Sequence, residues 1–150
     1  MTIRVFLGVF DDFRYTNAMS IHTPTPQRRK KVLIVDDEKT LVGALTMKLQ
    51  HSGMDAEACY DGNEALQILA DRQFDVILLD IHMPNKNGLD VLRGRSSTCN
   101  CNTPIYVQTA LGHDAELAEA KKLGAKAAFY KSAMSLADIM ATIKGELAMG

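Results

Sequence analysis

Four groups of residues in this 150-residue chain carry side chains that can handle a phosphate or a divalent cation, and each closes a short apolar run. Asp36-Asp37 follows Val32-Leu33-Ile34-Val35, and Asp80 follows Val76-Ile77-Leu78-Leu79. Thr109 closes the run that begins Ile105-Tyr106-Val107, and Lys131 follows residues 127–130. Asp80 is the candidate nucleophile, because a carboxylate can accept a phosphoryl group and become an acyl phosphate. Lys131 would be a fixed positive charge for one phosphoryl oxygen. Thr109 would donate a hydroxyl hydrogen bond to another, and small Ala110 leaves room beside it. Three carboxylates held roughly 5 Å apart repel by about 3 kcal/mol per pair at an effective dielectric near 20. A cation among them relieves that repulsion, and oxygen ligands with water suit Mg²⁺, so Asp36 and Asp37 are expected to hold Mg²⁺ beside Asp80. A single carboxylate after a strand is a common loop residue, but four suitable residues at four strand ends form a set that chance placement does not explain.

The set works only if the chain folds so that these ends converge. A continuous apolar run is what a parallel strand buried on both faces requires. All carboxyl ends of a parallel sheet lie on one edge, which is where such sheets bind ligands. Between the runs, Leu41, Val42, Leu45 and Leu49 share one face of a helix that Gly53 stops. Residues 54–60 read as a more polar strand at the sheet edge, and Asp61-Gly62 turns the chain into a helix with Ala65, Leu66 and Leu69 inward. Leu89, Val91 and Leu92 begin a short helix, and residues 96–103 read as an exposed polar loop. Asp114 is placed to cap an alanine-rich helix that runs to Leu123 and stops at Gly124. Ser135 caps a last helix whose Leu136, Ile139, Met140 and Ile143 fall at i, i+3, i+4 and i+7. Strands alternating with helices predict a doubly wound α/β fold built on a five-stranded parallel sheet. Met83-Pro84 and Gly88 punctuate the loop after Asp80, which is expected at the rim of the core and open to a reactant.

Composition limits the partners. Hydrophobic residues at 47%, charged residues at 23% and a formal net charge of −1 give no bulk attraction to nucleic acid or to an acidic membrane. Cys59, Cys99 and Cys101 are an odd number, which favours a reducing compartment, and the last two read as loop thiols rather than metal ligands. The apolar run at residues 5–10 is cut by Asp11-Asp12, too short for a membrane span and poor for a signal peptide, so the expected location is cytoplasmic. Residues 1–30 read as an extension and linker, disordered or loosely docked, with Pro24, Pro26 and a basic run, and Met19 is an alternative start. Residues 31–150 form the expected domain. Arg28 to Lys31 read as a solvated lead-in to the first strand, and His22, His51 and His113 as surface residues.

The segments KVLIVDDE, GMDAEACYDGNEAL, FDVILLDIHMPNKNG, PIYVQTA and GAKAAFYK, in that order and spacing, resemble the receiver domain of two-component response regulators over about residues 31–148. The resemblance implies a flavodoxin-like (βα)5 fold with strand order 2-1-3-4-5. It implies that Asp80 is the phosphoacceptor, and that Asp37, Asp80 and the backbone carbonyl of His82 are the Mg²⁺ ligands. Asp36 would act through water, with Thr109 and Lys131 as the phosphoryl-binding pair. The implied partners are a histidine kinase or histidine phosphotransfer protein and a downstream protein that the sequence does not name. The chain is expected to be a stand-alone receiver, not an enzyme, and a monomer or weak dimer.

Two positions depart from the family pattern. Ser132 stands where proline usually follows the lysine; the peptide before it is either cis, at a cost of about 2.5–4 kcal/mol, or trans with a different start to the last helix, and cis is the expectation. The switch aromatic normally lies three residues before the lysine, at Ala128, whereas Phe129 falls on the opposite face of the strand and reads as core. Ala128 is small enough to leave a hollow for a partner's side chain. The ring of His82 is expected at the mouth of the site, where it and Leu111 would affect hydrolysis of the acyl phosphate. A rival reading is an interaction scaffold that keeps the fold and works without phosphorylation. A hydrolase of the haloacid type is disfavoured because His82, not a second aspartate, stands two residues after Asp80.

Overall fold

The three most buried strands form the middle of the sheet: β1 (Lys31–Val35), β3 (Val76–Asp80) and β4 (Ile105–Thr109). The more polar β2 (Asp55–Cys59) and the short β5 (Ala127–Tyr130) take the edges. All pairs are parallel and the order is β2-β1-β3-β4-β5, as expected. This computed structural model describes residues 27–110 and 113–148. The expectations for residues 1–26, including His22, and for Leu111 lie outside the described residues.

Alternation along the strands divides the core in two. Leu33, Val35, Ile77, Leu79, Ile105 and Val107 face α2 (Gly62–Asp71), α3 (Gly88–Arg95) and α4 (Asp114–Lys122). Val32, Ile34, Val76, Leu78 and Tyr106 face α1 (Lys39–His51) and α5 (Leu136–Ala148). The periodic helix residues do what their spacing demands: Val42, Leu45 and Leu49 are buried, as are Ala65, Leu69, Ile139, Met140 and Ile143, while Leu41, Leu66 and Leu136 pack at the margins. Fully burying one such side chain stabilises the fold by about 1.5–3 kcal/mol. Gly53, at φ +81°, and Gly124, at φ +93°, take the left-handed conformation that ends their helices. Among the described residues no helix is long and apolar enough to cross a membrane.

Two of three local expectations change. Asp114 does not cap α4: His113 holds the cap position and Asp114 lies in the first turn, where its carboxylate accepts from the Tyr130 hydroxyl at 2.8 Å. Ser135 does cap α5, reciprocally with Asp138. The Asp138 N–H donates to Ser135 Oγ at 3.2 Å, and the Ser135 N–H donates to Asp138 Oδ2 at 2.8 Å. The Lys131-Ser132 peptide is trans, not cis, and Lys131–Ala133 forms a 3-10 turn that leads into α5. Without a proline ring the trans amide is the lower state, and the turn accommodates it.

The segment at residues 96–103 is not simply an exposed polar loop. Cys99 and Cys101 are exposed free thiols, but Asn100 and Thr103 are buried. The Asn100 side chain donates to the Leu69 and Arg72 carbonyls at 2.8 and 2.7 Å and accepts from the Phe74 N–H at 2.9 Å. It thereby closes the end of α2 and the approach to β3, whose backbone groups would otherwise be orphaned. Arg95 is also buried, donating to the Thr103 carbonyl at 2.6 Å and the Gly124 carbonyl at 3.0 Å. Asn100→Ala removes its side-chain bonds to three backbone groups and should lower the free energy of unfolding by about 2–4 kcal/mol, whereas exposed Cys101→Ser should change it by less than about 0.5 kcal/mol. Urea denaturation of both variants checks this, and an unshifted midpoint for Asn100→Ala would contradict the closing role.

Candidate functional site

The register of the strands decides what meets at the carboxyl edge. Val35 lies beside Leu79, Asp80 beside Gln108, and Thr109 beside Tyr130, so the residues that follow β1 and β3 and those that end β4 and β5 converge. One oxygen from each of Asp36, Asp37 and Asp80 lies within 4.8 Å of the others. Asp36 and Asp80 are buried and Asp37 is exposed. These hard oxygen donors, with one face toward solvent at Asp37, are the chemistry that Mg²⁺ takes, so the residues present fit the ion.

Lys131 reaches into the same cluster. Its ammonium lies 2.7 Å from Asp36 Oδ2, 3.3 Å from Asp80 Oδ2 and 3.4 Å from Glu38 Oε2. This overturns the expectation that Asp80 stands open. Its side chain, at the end of a wholly buried strand, is only 4% exposed, and that of Lys131 beside it is 14% exposed. Asp36 is satisfied at both oxygens. Oδ1 accepts from the Glu38 N–H at 2.9 Å, and Oδ2 accepts from Lys131 and from the Gln108 amide at 3.0 Å. Gln108 is wholly buried, and its own Oε1 meets no protein donor among the described residues. An orphaned buried acceptor costs about 1–3 kcal/mol.

The loop after Asp80 is built for close approach. A Cβ on Gly88 would lie 2.2 Å from the Asp80 carbonyl oxygen, and one on Gly62 would lie 2.2 Å from the Lys86 carbonyl oxygen, so the loop is clasped from both sides at glycines. Asn85 takes a positive φ of 65°, which asparagine tolerates better than most residues. The Gly88 N–H donates to the Ile81 carbonyl at 2.8 Å, and the Asn87 side chain caps α3 by accepting from the Asp90 N–H at 3.0 Å. His82 follows Asp80, to whose Oδ1 its N–H points at 3.4 Å, while its ring turns to Glu116 of α4 at 3.1 Å.

Thr109 is fully buried at the end of β4, one residue beyond the strand neighbour of Asp80. Phe129 packs in the α1/α5 core as expected, and Ala128 packs on the other face, beside Val107. Sequence reasoning passed over Gln108, Glu38 and Tyr130. A lone amide inside an apolar strand was the available signal for Gln108. Nothing local marked Tyr130, whose partner Asp114 is 16 residues away. The basic lead-in lies elsewhere: Arg28 pairs with Asp75 at 3.2 Å and Arg29 with Asp55 at 3.7 Å, at the amino ends of β3 and β2.

Burial, then the Asp36 charge, pushes the Asp80 carboxyl up to about 6, against the pull of Lys131 and the His82 N–H. Burial opposes the Lys131 ammonium, but its hydrogen bond to Asp36 and the charges of Asp80 and Asp36 hold it above the usual lysine range. The fold therefore favours protonated Asp80 more than the unfolded chain, where the value is 3.8. That contribution is complete below pH 3.8 and is lost as pH rises through about 6. Above that, ionised Asp80 costs up to about 3 kcal/mol. In Mg²⁺-free buffer Asp80→Asn should raise stability by about 1–3 kcal/mol at pH 7.5 and not at pH 4, as read from urea midpoints at the two values.

Residues 32–144 match the family model described as "Response regulator receiver domain". The transcriptional regulatory protein CpxR of Escherichia coli strain K12 is 37% identical over 95 residues, which cover 63% of this chain and 40% of that protein's length. The Francisella response regulator 1452 receiver domain is 28% identical, with a TM-score of 0.69 over 79% of this chain and 96% of that one. Chemotaxis response regulator CheY4 of Vibrio cholerae is also 28% identical, with a TM-score of 0.71 over 79% and 98% of the two chains. With its sheet order, its acidic edge and a match over residues 32–144, this chain belongs to the response regulator receiver domain family.

Proposed function

We propose that the protein accepts a phosphoryl group on Asp80 from a histidine kinase or histidine phosphotransfer protein, and that this changes its binding to a downstream protein. The observation that carries the reading is the seating of Asp80 Oδ2 at 3.3 Å from the Lys131 ammonium, inside a cluster of three carboxylates at the sheet's ligand-binding edge. A carboxylate oxygen of Asp80 forms the bond to phosphorus as the bond from phosphorus to the donor's imidazole nitrogen breaks, leaving an acyl phosphate and a histidine. Lys131 then compensates a phosphoryl oxygen, and the Thr109 hydroxyl donates to another. Asp37, Asp80 and the His82 carbonyl are the proposed Mg²⁺ ligands, with Asp36 acting through water. When bound, the ion supplies positive charge against Asp80 and the incoming phosphoryl oxygens.

The three donors already on Asp36 support its place behind a water rather than on the ion. We infer a receiver at residues 31–150 after an extension at residues 1–30. Backbone pairing already begins at the Lys30 carbonyl, which accepts from the Asp55 N–H at 2.8 Å. Incubation with a small phosphodonor such as acetyl phosphate should label the protein only when Mg²⁺ is present, and Asp80→Asn should stay unlabelled. Lys131→Ala should lower the labelling rate by at least about tenfold, the loss of one charge-stabilising group. Equal labelling of wild type and Asp80→Asn, or none of either, would overturn the assignment.

A further inference from the structure

We propose that Gln108 is a positioning residue that sets the affinity of the acidic cluster for Mg²⁺ by holding the Asp36 carboxylate. The inference rests on the proposed function and deepens it.

Position 108 lies in a strand whose residues are all buried, and its neighbours Tyr106 and Val107 belong to the two apolar cores. An apolar side chain would fill such a place without polar cost. The amide there is wholly buried, and its oxygen meets no protein donor among the described residues. A buried polar group kept on these terms calls for a reason in the bond it does make. That bond runs from Nε2 to Asp36 Oδ2 at 3.0 Å.

Lys131 uses the same oxygen, at 2.7 Å. The two donors differ in a way that matters for phosphoryl transfer. Lys131 is shared among three carboxylates and is the group that turns to a phosphoryl oxygen in the proposed reaction. Gln108 is neutral, and its amide reaches Asp36 alone among these carboxylates. It keeps the Asp36 carboxylate oriented when the lysine is drawn away, and it does so without adding a positive charge that would repel Mg²⁺. Its strand neighbour is Asp80 and its chain neighbour is Thr109, so the holding group is anchored in the same two strands as the phosphoryl site.

Partners that orient metal-binding groups from outside the ligand shell typically alter metal affinity by about 10–100-fold when removed. Mg²⁺ titration followed by the backbone amides of Glu38 and His82 in ¹⁵N NMR tests the proposal. Gln108→Leu should bind Mg²⁺ about tenfold more weakly than wild type. In an Asp36→Asn background the same substitution should change affinity by less than about twofold, because its effect runs through Asp36. In wild type the Gln108 side-chain amide resonances should shift as Mg²⁺ is added. Affinity of Gln108→Leu within twofold of wild type, an equal loss in both backgrounds, or an unmoved side-chain amide would each overturn the proposal. Failure of wild type to bind Mg²⁺ at all would instead overturn the proposed function.

Discussion

The seating of one ammonium among buried carboxylates is the constraint on which the rest of the molecule turns. Lys131 touches Asp36, Asp80 and Glu38, and it can do so only if β1, β3 and β5 end at the same level. One positive charge does not balance that many negative ones. The imbalance shows in the raised Asp80 carboxyl, whose first cause is burial and whose second is Asp36. Removing Lys131 would leave buried carboxylates uncompensated, which is far costlier than losing an exposed pair, whereas neutralising Asp80 relieves part of the surplus. The parallel sheet, its two apolar layers and the glycine-clasped loop after β3 hold this surplus of negative charge in place.

Around that centre, the first turn of α4 is tied back by two polar contacts. The His82 ring meets Glu116, and the Tyr130 hydroxyl meets Asp114. One tether starts two residues after Asp80, the other one residue before Lys131. Tyr130 shares its strand face with Ala128, where the family pattern has its aromatic residue, so an aromatic ring is present on that face but two residues further along. It grips α4 from outside, at the surface, while Ala128 packs against the apolar core beneath.

Most of the fold could be read from the chain because its signals are local. Apolar runs of three or four residues mark the middle strands, 3.6-residue spacing marks the buried faces of α1, α2 and α5, and Gly53 and Gly124 mark where helices end. The converging site residues were legible for the same reason, since parallel strands bring every carboxyl end to one edge. What escaped was set by partners distant in sequence. Asn100 looks like loop composition until α2 and β3 surround it, and Gln108 looks like an interruption until Asp36, 72 residues away, explains it. The openness expected of Asp80 failed because a single sequence does not show how deeply the last residue of a strand is buried. Ser132 misled in the opposite sense: the family pattern pointed to a cis peptide, and the residue present has no ring to favour one.

The loop that presents Asp80 also contains the pair Asn87-Gly88, the type of sequence in which an asparagine side chain most readily cyclises onto the next backbone nitrogen and rearranges. Cyclisation needs the Gly88 nitrogen free to attack and the Asn87 carboxamide free to turn toward it. Here the Gly88 N–H is committed to the Ile81 carbonyl, and the Asn87 oxygen is committed to the Asp90 N–H at the start of α3. The contacts that shape the loop thus also guard its covalent integrity. Chemical ageing beside Asp80 would begin with the fraying of α3, so the lifetime of the site is linked to the stability of one helix end.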